Sequence, residues 1–240
     1  MEHDEVPLEG GSRTQVTRRG ATVLRTAAPW SRTTIALLRH LEKVGFVHAP
    51  RVVGTGFAPD GREELAFVEG EFVHPGPWDD DALPVLGGML AALHWAMRSF
   101  VPPSDALWQP WFGRTVGQPS VLGHCDTGPW NIVSRQGRPV AFIDWETAGP
   151  VDPRVELAQA VWLNAQLVDD DIAERQGLPS VEARARQMRL LLDGYGLARA
   201  DRVGFVDLVR DFVVLAAANE AIGADVTPES NDAAPLWGLA

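Results

Sequence analysis

His124, Asp126 and Asn131 follow one another at the spacing H-x-D-x-x-x-x-N, and downstream the apolar run Phe142-Ile143 ends in Asp144. A loop carrying a carboxylate and, five residues on, an amide oxygen presents both to one cleft. The second carboxylate arrives from a strand end. Phosphoryl transfer asks for such groups: an acceptor that orients a hydroxyl and takes its proton, and hard oxygen ligands for Mg²⁺ bridging nucleotide phosphates. A plainer alternative makes Asp126 and Asn131 turn residues around Gly128-Pro129, where Asp and Asn are common. The carboxylate at the strand end favours chemistry.

These groups need positioning elements. Ile132 to Ser134 and Pro139 to Ile143, joined by Arg135-Gln136-Gly137-Arg138, read as a hairpin that brings Asn131 and Asp144 together at one end. Upstream, β-prone runs flank Arg19-Gly20, and two further strands span Arg51 to Gly56 and Glu64 to Val68. Between these pairs, Ile35, Leu38, Leu41 and Val44 recur at helical spacing after Ser31, a plausible N-cap, and Gly45 stops the run. Strand, strand, helix, strand, strand predicts a small sheet lobe over residues 1–70, and residues 71–240 read as a mainly helical lobe holding the loop and an acceptor site. Helices are expected from Leu83 to Phe100, Arg154 to Leu167, Ser180 to Tyr195 and Asp201 to Ile222. The runs Asp79-Asp80-Asp81 and Asp169-Asp170-Asp171 read first as helix-start acids. His94 reads as a structural residue bonded to the catalytic loop, Glu156 as support behind that loop, and Trp108, Trp111 and Trp162 as core before substrate cleft.

Composition narrows the classes. Hydrophobic residues make up 45% and charged residues 22% of the 240, as in soluble globular chains. The net charge is −11 and the sole lysine is Lys43, so nucleic acid, which demands a basic footprint, is not an expected partner. A cationic ligand fits that balance, although acidity alone also serves solubility. No apolar stretch is long enough for a membrane span, and the acidic start Met1-Glu2-His3-Asp4-Glu5 is unlike a secretory signal, so a cytoplasmic setting is expected. The lone Cys125 excludes an internal disulfide framework.

The stretch His124-Cys125-Asp126-Thr127-Gly128-Pro129-Trp130-Asn131, with Ile143-Asp144-Trp145-Glu146, Ala148-Gly149-Pro150, Glu156-Leu157-Ala158 and Leu90-Ala91-Ala92-Leu93-His94, resembles the aminoglycoside phosphotransferase and choline-kinase-like family. That resemblance implies an α+β, protein-kinase-like bilobal fold and transfer of the γ-phosphate of ATP, with GTP as an alternative donor, to a hydroxyl of a small molecule such as an aminoglycoside. It implies Asp126 as catalytic base, His124 bracing the loop, and Asn131 and Asp144 holding Mg²⁺. Arg25, in Thr22-Val23-Leu24-Arg25, resembles the strand residue that pairs with nucleotide phosphates, with Glu42 as its helix partner. Glu69 and Gly70 resemble the hinge around adenine, and Gly10-Gly11-Ser12 a remnant of the phosphate-covering turn. Arg25 replaces the usual lysine, Cys125 the common glycine, and the glycine turn is incomplete. Those departures keep a second expectation open, a catalytically silent binding or immunity protein on the same fold, beside a choline- or amino-alcohol-type kinase.

Overall fold

A computed structural model describes residues 5–8 and 16–223. The turn Gly10-Gly11-Ser12 lies outside the described residues. Five strands, β1 (Glu5–Pro7), β2 (Val16–Arg19), β3 (Thr22–Arg25), β4 (Val52–Phe57) and β5 (Glu63–Ala66), form one antiparallel sheet in the order β1-β2-β3-β5-β4. Gly20 sits at φ +61 in the two-residue turn between β2 and β3, the sign that a tight hairpin requires there. Helix α1 (Ser31–Lys43) lays Ile35, Leu38 and Leu41 into the interior. It stops as expected: Gly45 takes φ +79 and the Phe46 N–H bonds back to the Leu41 carbonyl. Ser31 is not the N-cap. Trp30 holds that position, and the Ser31 hydroxyl instead accepts from the Ala28 N–H at 2.7 Å, bracing the loop before the helix.

The remainder is mostly helical: α2 (Ala82–Met97), α3 (Pro153–Asn164), α4 (Asp170–Gln176), α5 (Val181–Tyr195) and α6 (Phe205–Gly223). Two small hairpin-like pairs interrupt it, β6 (Val121–Gly123) with β9 (Gly149–Val151), and β7 (Ile132–Arg135) with β8 (Arg138–Phe142). The β7–β8 turn carries Gln136 at φ +53 and Gly137 at φ +71, the two positive angles of a type I′ turn. Helices α2 and α5 touch backbone to backbone, because a side chain on Gly87 or Gly194 would run into the facing main chain. Leu83, Leu86, Leu90 and Leu93 of α2 and Val155, Leu157, Ala158 and Val161 of α3 fill the common core with Phe142 and Trp145. The fold is α+β and protein-kinase-like, a small β-rich lobe over a larger helical one.

Several expected boundaries move. Strand β1 and helix α4 were not anticipated; each is short and carries little periodic signal. Helix α3 ends at Asn164 rather than Leu167, and α6 begins at Phe205, after a 3-10 turn at Arg199–Arg202 and Gly204 at φ +72. Of the two aspartate runs, Asp169 caps α4 by accepting from the Asp171 N–H. Asp80 and Asp81 instead pair with Arg186 and Arg138, and no side-chain bond caps α2.

Candidate functional site

The loop Gly123–Asn131 is held from below by helix α3. Pro153 at its first position and the Asp152 side chain, accepting from the Arg154 N–H at 2.8 Å, fix where the helix starts. Glu156, Gln159 and Asn164 then project from α3 into the loop. Glu156 accepts the Cys125 N–H at 2.6 Å, Gln159 accepts the Thr127 N–H and donates to the Cys125 carbonyl, both at 3.2 Å, and Asn164 donates to the Thr127 carbonyl at 2.8 Å. Asn164 is itself oriented by Trp78, whose indole N–H donates to it at 2.9 Å. The other oxygen of Glu156 meets His94 Nε2 at 2.5 Å, and the Tyr195 hydroxyl lies 2.7 Å from His94 Nδ1. His94 is therefore structural, as expected, and reaches the loop through Glu156. Gly123 is required, because a Cβ there would collide with the Glu156 carboxylate.

Cys125 has φ +64, which accounts for a position where glycine is the easier residue. Its thiol is fully buried; burial and the charge of Glu156 push its ionisation well above the ordinary range, so it acts as a filler. His124 is also fully buried. Its Nε2 bonds the Ile143 carbonyl at 2.8 Å and its Nδ1 accepts the Asp126 N–H at 3.3 Å, the pattern of a neutral ring tying the loop to the strand before Asp144.

Asn131 and Asp144 come together at the open end of the β7–β8 hairpin. Ile132 pairs with Phe142, and the Ile143 N–H donates to the Asn131 carbonyl at 2.9 Å. The Asn131 amide nitrogen donates to the Asp126 carbonyl at 3.2 Å, which leaves the amide oxygen as its ligand end. Asp144 adopts φ +59, a left-handed conformation that Asp tolerates better than most residues, and its side chain is 42% exposed. An amide oxygen beside an exposed carboxylate is a hard-oxygen donor pair, and it fits Mg²⁺, which takes one or two protein ligands and completes its shell with phosphates and water. Arg114 secures the segment after Asp144 by donating to the carbonyls of Thr147 at 2.7 Å and Pro150 at 3.2 Å.

The sheet contributes Arg25. It reaches across to Asp144 at 2.5 Å and Glu146 at 3.4 Å, so it stands beside the carboxylate that follows the β7–β8 hairpin. Its inner partner is Glu63 of β5 at 2.8 Å, not Glu42. Glu42 sits in the last turn of α1, where it lies 3.9 Å from Arg51. Glu69 pairs with Arg18 at 2.7 Å, and its carbonyl accepts from Arg135 at 3.0 Å; Arg18 also stacks over Phe67. Gly70 admits no side chain, since a Cβ would strike the Ser134 carbonyl, where an isolated β-bridge joins Glu71 to Ser134. Trp162 is core, 8% exposed and edge-on to Phe212, and Trp111 joins the same aromatic cluster.

Sequence reasoning missed Glu63, Gln159, Asn164 and Arg114. A signal existed for two of them: Gln159 and Asn164 are polar positions in a helix that is otherwise buried nearly all round.

Two buried groups make stability pH-dependent. Burial lowers the His124 pKa below its usual 6.5. Burial alone would raise Glu156, but the bond and charge of His94 and the Cys125 N–H outweigh it and hold the carboxyl below 4.5. Each group binds a proton more readily in the unfolded chain, so each contributes stability at high pH that is lost on acidification. His124 acts first, from about pH 6.5 downward, and Glu156 below about 4.5. Urea unfolding should therefore show a lower midpoint at about pH 5.5 than at about pH 7.5; an unchanged or higher midpoint contradicts this.

A five-stranded sheet over a helical lobe, with a strand-borne arginine meeting the carboxylate of Asp144, defines the protein-kinase-like class of folds. The chain belongs to one family with the immunity protein named next, and a model described as "Phosphotransferase enzyme family" matches residues 101–191. Among curated proteins, the trifolitoxin immunity protein of Rhizobium leguminosarum bv. trifolii is 63% identical over 239 residues, covering 99% of this chain and 92% of that protein. Solved structures share the fold. The amicoumacin kinase hAmiN, in complex with AMP-PNP, Ca²⁺ and Ami, superposes with a TM-score of 0.66 at 13% identity, over 98% of this chain and 85% of that one. The streptomycin–ATP–APH(2")-IIa ternary complex gives 0.62 at 15% identity, over 94% and 89%. Among the described residues no helix is long and apolar enough to cross a membrane.

Proposed function

We propose that this chain is a Mg²⁺-dependent kinase that moves the γ-phosphate of ATP or GTP to a hydroxyl of a toxic small molecule. The observation that supports the reading most is Arg25 meeting Asp144 from the opposite lobe at 2.5 Å; in this reading Arg25 is the phosphate-binding cation beside Asp126 and Asn131. In this reading Asp126 orients the acceptor hydroxyl and takes its proton. Asn131 and Asp144 hold the metal, which when bound offsets charge on the transferring phosphoryl group. His124 braces the loop, Arg25 meets phosphate, and the segment at Glu69 and Gly70 lies against the base, with Gly10, Gly11 and Ser12 over the phosphates. Residues 1–70 supply the nucleotide side and residues 71–240 the loop and acceptor side, in a cytoplasmic protein with no nucleic-acid or membrane partner.

The 63% identity to a trifolitoxin immunity protein supports a protective role; in this reading protection is a form of antibiotic resistance that proceeds by phosphorylating the toxin. The same relative favours a second reading, in which the fold binds a toxin without modifying it. Purified protein offered Mg²⁺ with ATP and with GTP should show a raised melting temperature, and γ-phosphate should move to at least one of trifolitoxin, an amicoumacin, streptomycin or gentamicin. Stabilisation by neither nucleotide at millimolar concentration, together with protection of cells, would establish silent capture instead.

A further inference from the structure

Arg25 and Glu63 are cross-strand partners on β3 and β5. The inner edge of the guanidinium, Nε and Nη2, donates to one oxygen of Glu63 at 3.1 and 2.8 Å, and the Glu63 side chain is only 2% exposed. The other Glu63 oxygen is buried without a hydrogen-bond partner among the described residues, so this acid is not part of a wider structural network. The outer nitrogen, Nη1, faces away from Glu63 and meets Asp144 and Glu146. Helix α1 has a single acid, Glu42, which lies beside Arg51. The cation is thus fixed within the sheet and needs no helix to hold it.

From this arrangement, and building on the phosphotransferase reading above, we infer that Glu63 positions Arg25 so that Nη1 guards Asp144, which makes metal entry dependent on nucleotide entry. A metal ion arriving alone meets a guanidinium already paired with its ligand. A triphosphate offers Nη1 a new anionic partner while Nε and Nη2 stay on Glu63, and Asp144 is released to the metal. A forked side chain suits this exchange, because its two edges address different partners in fixed directions, whereas a lysine ammonium is a single point charge. The coupling is reciprocal, as any linkage between two ligands must be.

The probe is Mn²⁺ alone, followed by electron paramagnetic resonance, with wild type, Glu63→Gln and the double variant Arg25→Gln/Glu63→Gln. The double variant removes both buried charges together, so neither is left unpaired to unfold the protein. Without nucleotide, it should bind Mn²⁺ about five- to tenfold more tightly than wild type, a typical size for coupling between sites. Loss of structure would not tighten metal binding, so this readout separates positioning from mere support. Glu63→Gln, which frees Arg25 to leave its place, should weaken nucleotide binding about tenfold. Equal or weaker Mn²⁺ binding by the double variant, or unchanged nucleotide binding by Glu63→Gln, overturns the inference. If wild type binds no Mn²⁺-nucleotide, the phosphotransferase reading falls, and the comparison with Mn²⁺ alone still decides whether Arg25 guards Asp144.

Discussion

Asp126→Ala should lower phosphoryl transfer by about 10²–10⁴-fold, the range that a positioned general base contributes, and should leave nucleotide and metal binding in place. The two effects separate because the loop bonds described above run through the main chain of Asp126. Its carbonyl accepts from Asn131 and its N–H donates to His124, and both survive truncation of the side chain. The hydroxyl acceptor loses its proton acceptor; the metal keeps Asn131 and Asp144. Single-turnover transfer from labelled nucleotide, alongside a nucleotide-induced melting shift, measures both quantities on one sample. Transfer at the wild-type rate by Asp126→Ala contradicts the assignment of the base, and loss of the melting shift contradicts the separation.

Glu156→Ala should be the costliest single change in the helical lobe, at about 3–5 kcal/mol, the loss seen when one partner of a buried charged network is removed. Glu156 is fully buried and serves three groups at once: the Cys125 N–H, His94 and, through His94, Tyr195. Truncation orphans the Cys125 N–H and leaves His94 facing a void where a carboxylate stood. Burial, with the charge of Glu156 behind it, pushes the Tyr195 hydroxyl up to about 12, so Tyr195 keeps its proton throughout the working pH range. Urea unfolding of Glu156→Ala against wild type checks the figure, and a loss under about 1 kcal/mol would mean that the network is not what fixes the loop. Glu156→Gln retains one acceptor for the Cys125 N–H and should lose less.

The contrast between these residues shows what a sequence makes legible. The adjacency of Asn131 and Asp144 could be read because a short hairpin converts a fixed spacing along one stretch into neighbourhood. The helices α1 and α2 were legible for a related reason, since burial of one face imposes a 3.6-residue period on Ile35, Leu38 and Leu41 and on Leu83, Leu86, Leu90 and Leu93. Glu63 was not legible. Its pairing with Arg25 is set by the register of β3 against β5, which places residues far apart in the chain side by side, and no local pattern encodes that register. Helix α1 offered Glu42 as the expected acid, but the helix phase turns it toward Arg51. The departure at Cys125 proved conformational: a left-handed backbone explains why glycine suits the position, and a small buried thiol is tolerated there. Arg25 takes its acidic partner from strand β5 rather than from helix α1.

The kinase reading proposed above requires that any protection conferred by this chain proceed by phosphorylation, not by capture. The most direct measurement pairs a cell-protection assay against trifolitoxin with ³²P transfer from γ-labelled ATP and GTP to the toxin, for wild type and Asp126→Ala in parallel. The account predicts labelled toxin and surviving cells with wild type, and neither with Asp126→Ala expressed at the same level. Survival conferred equally by Asp126→Ala, with no label on the toxin from either protein, would contradict it.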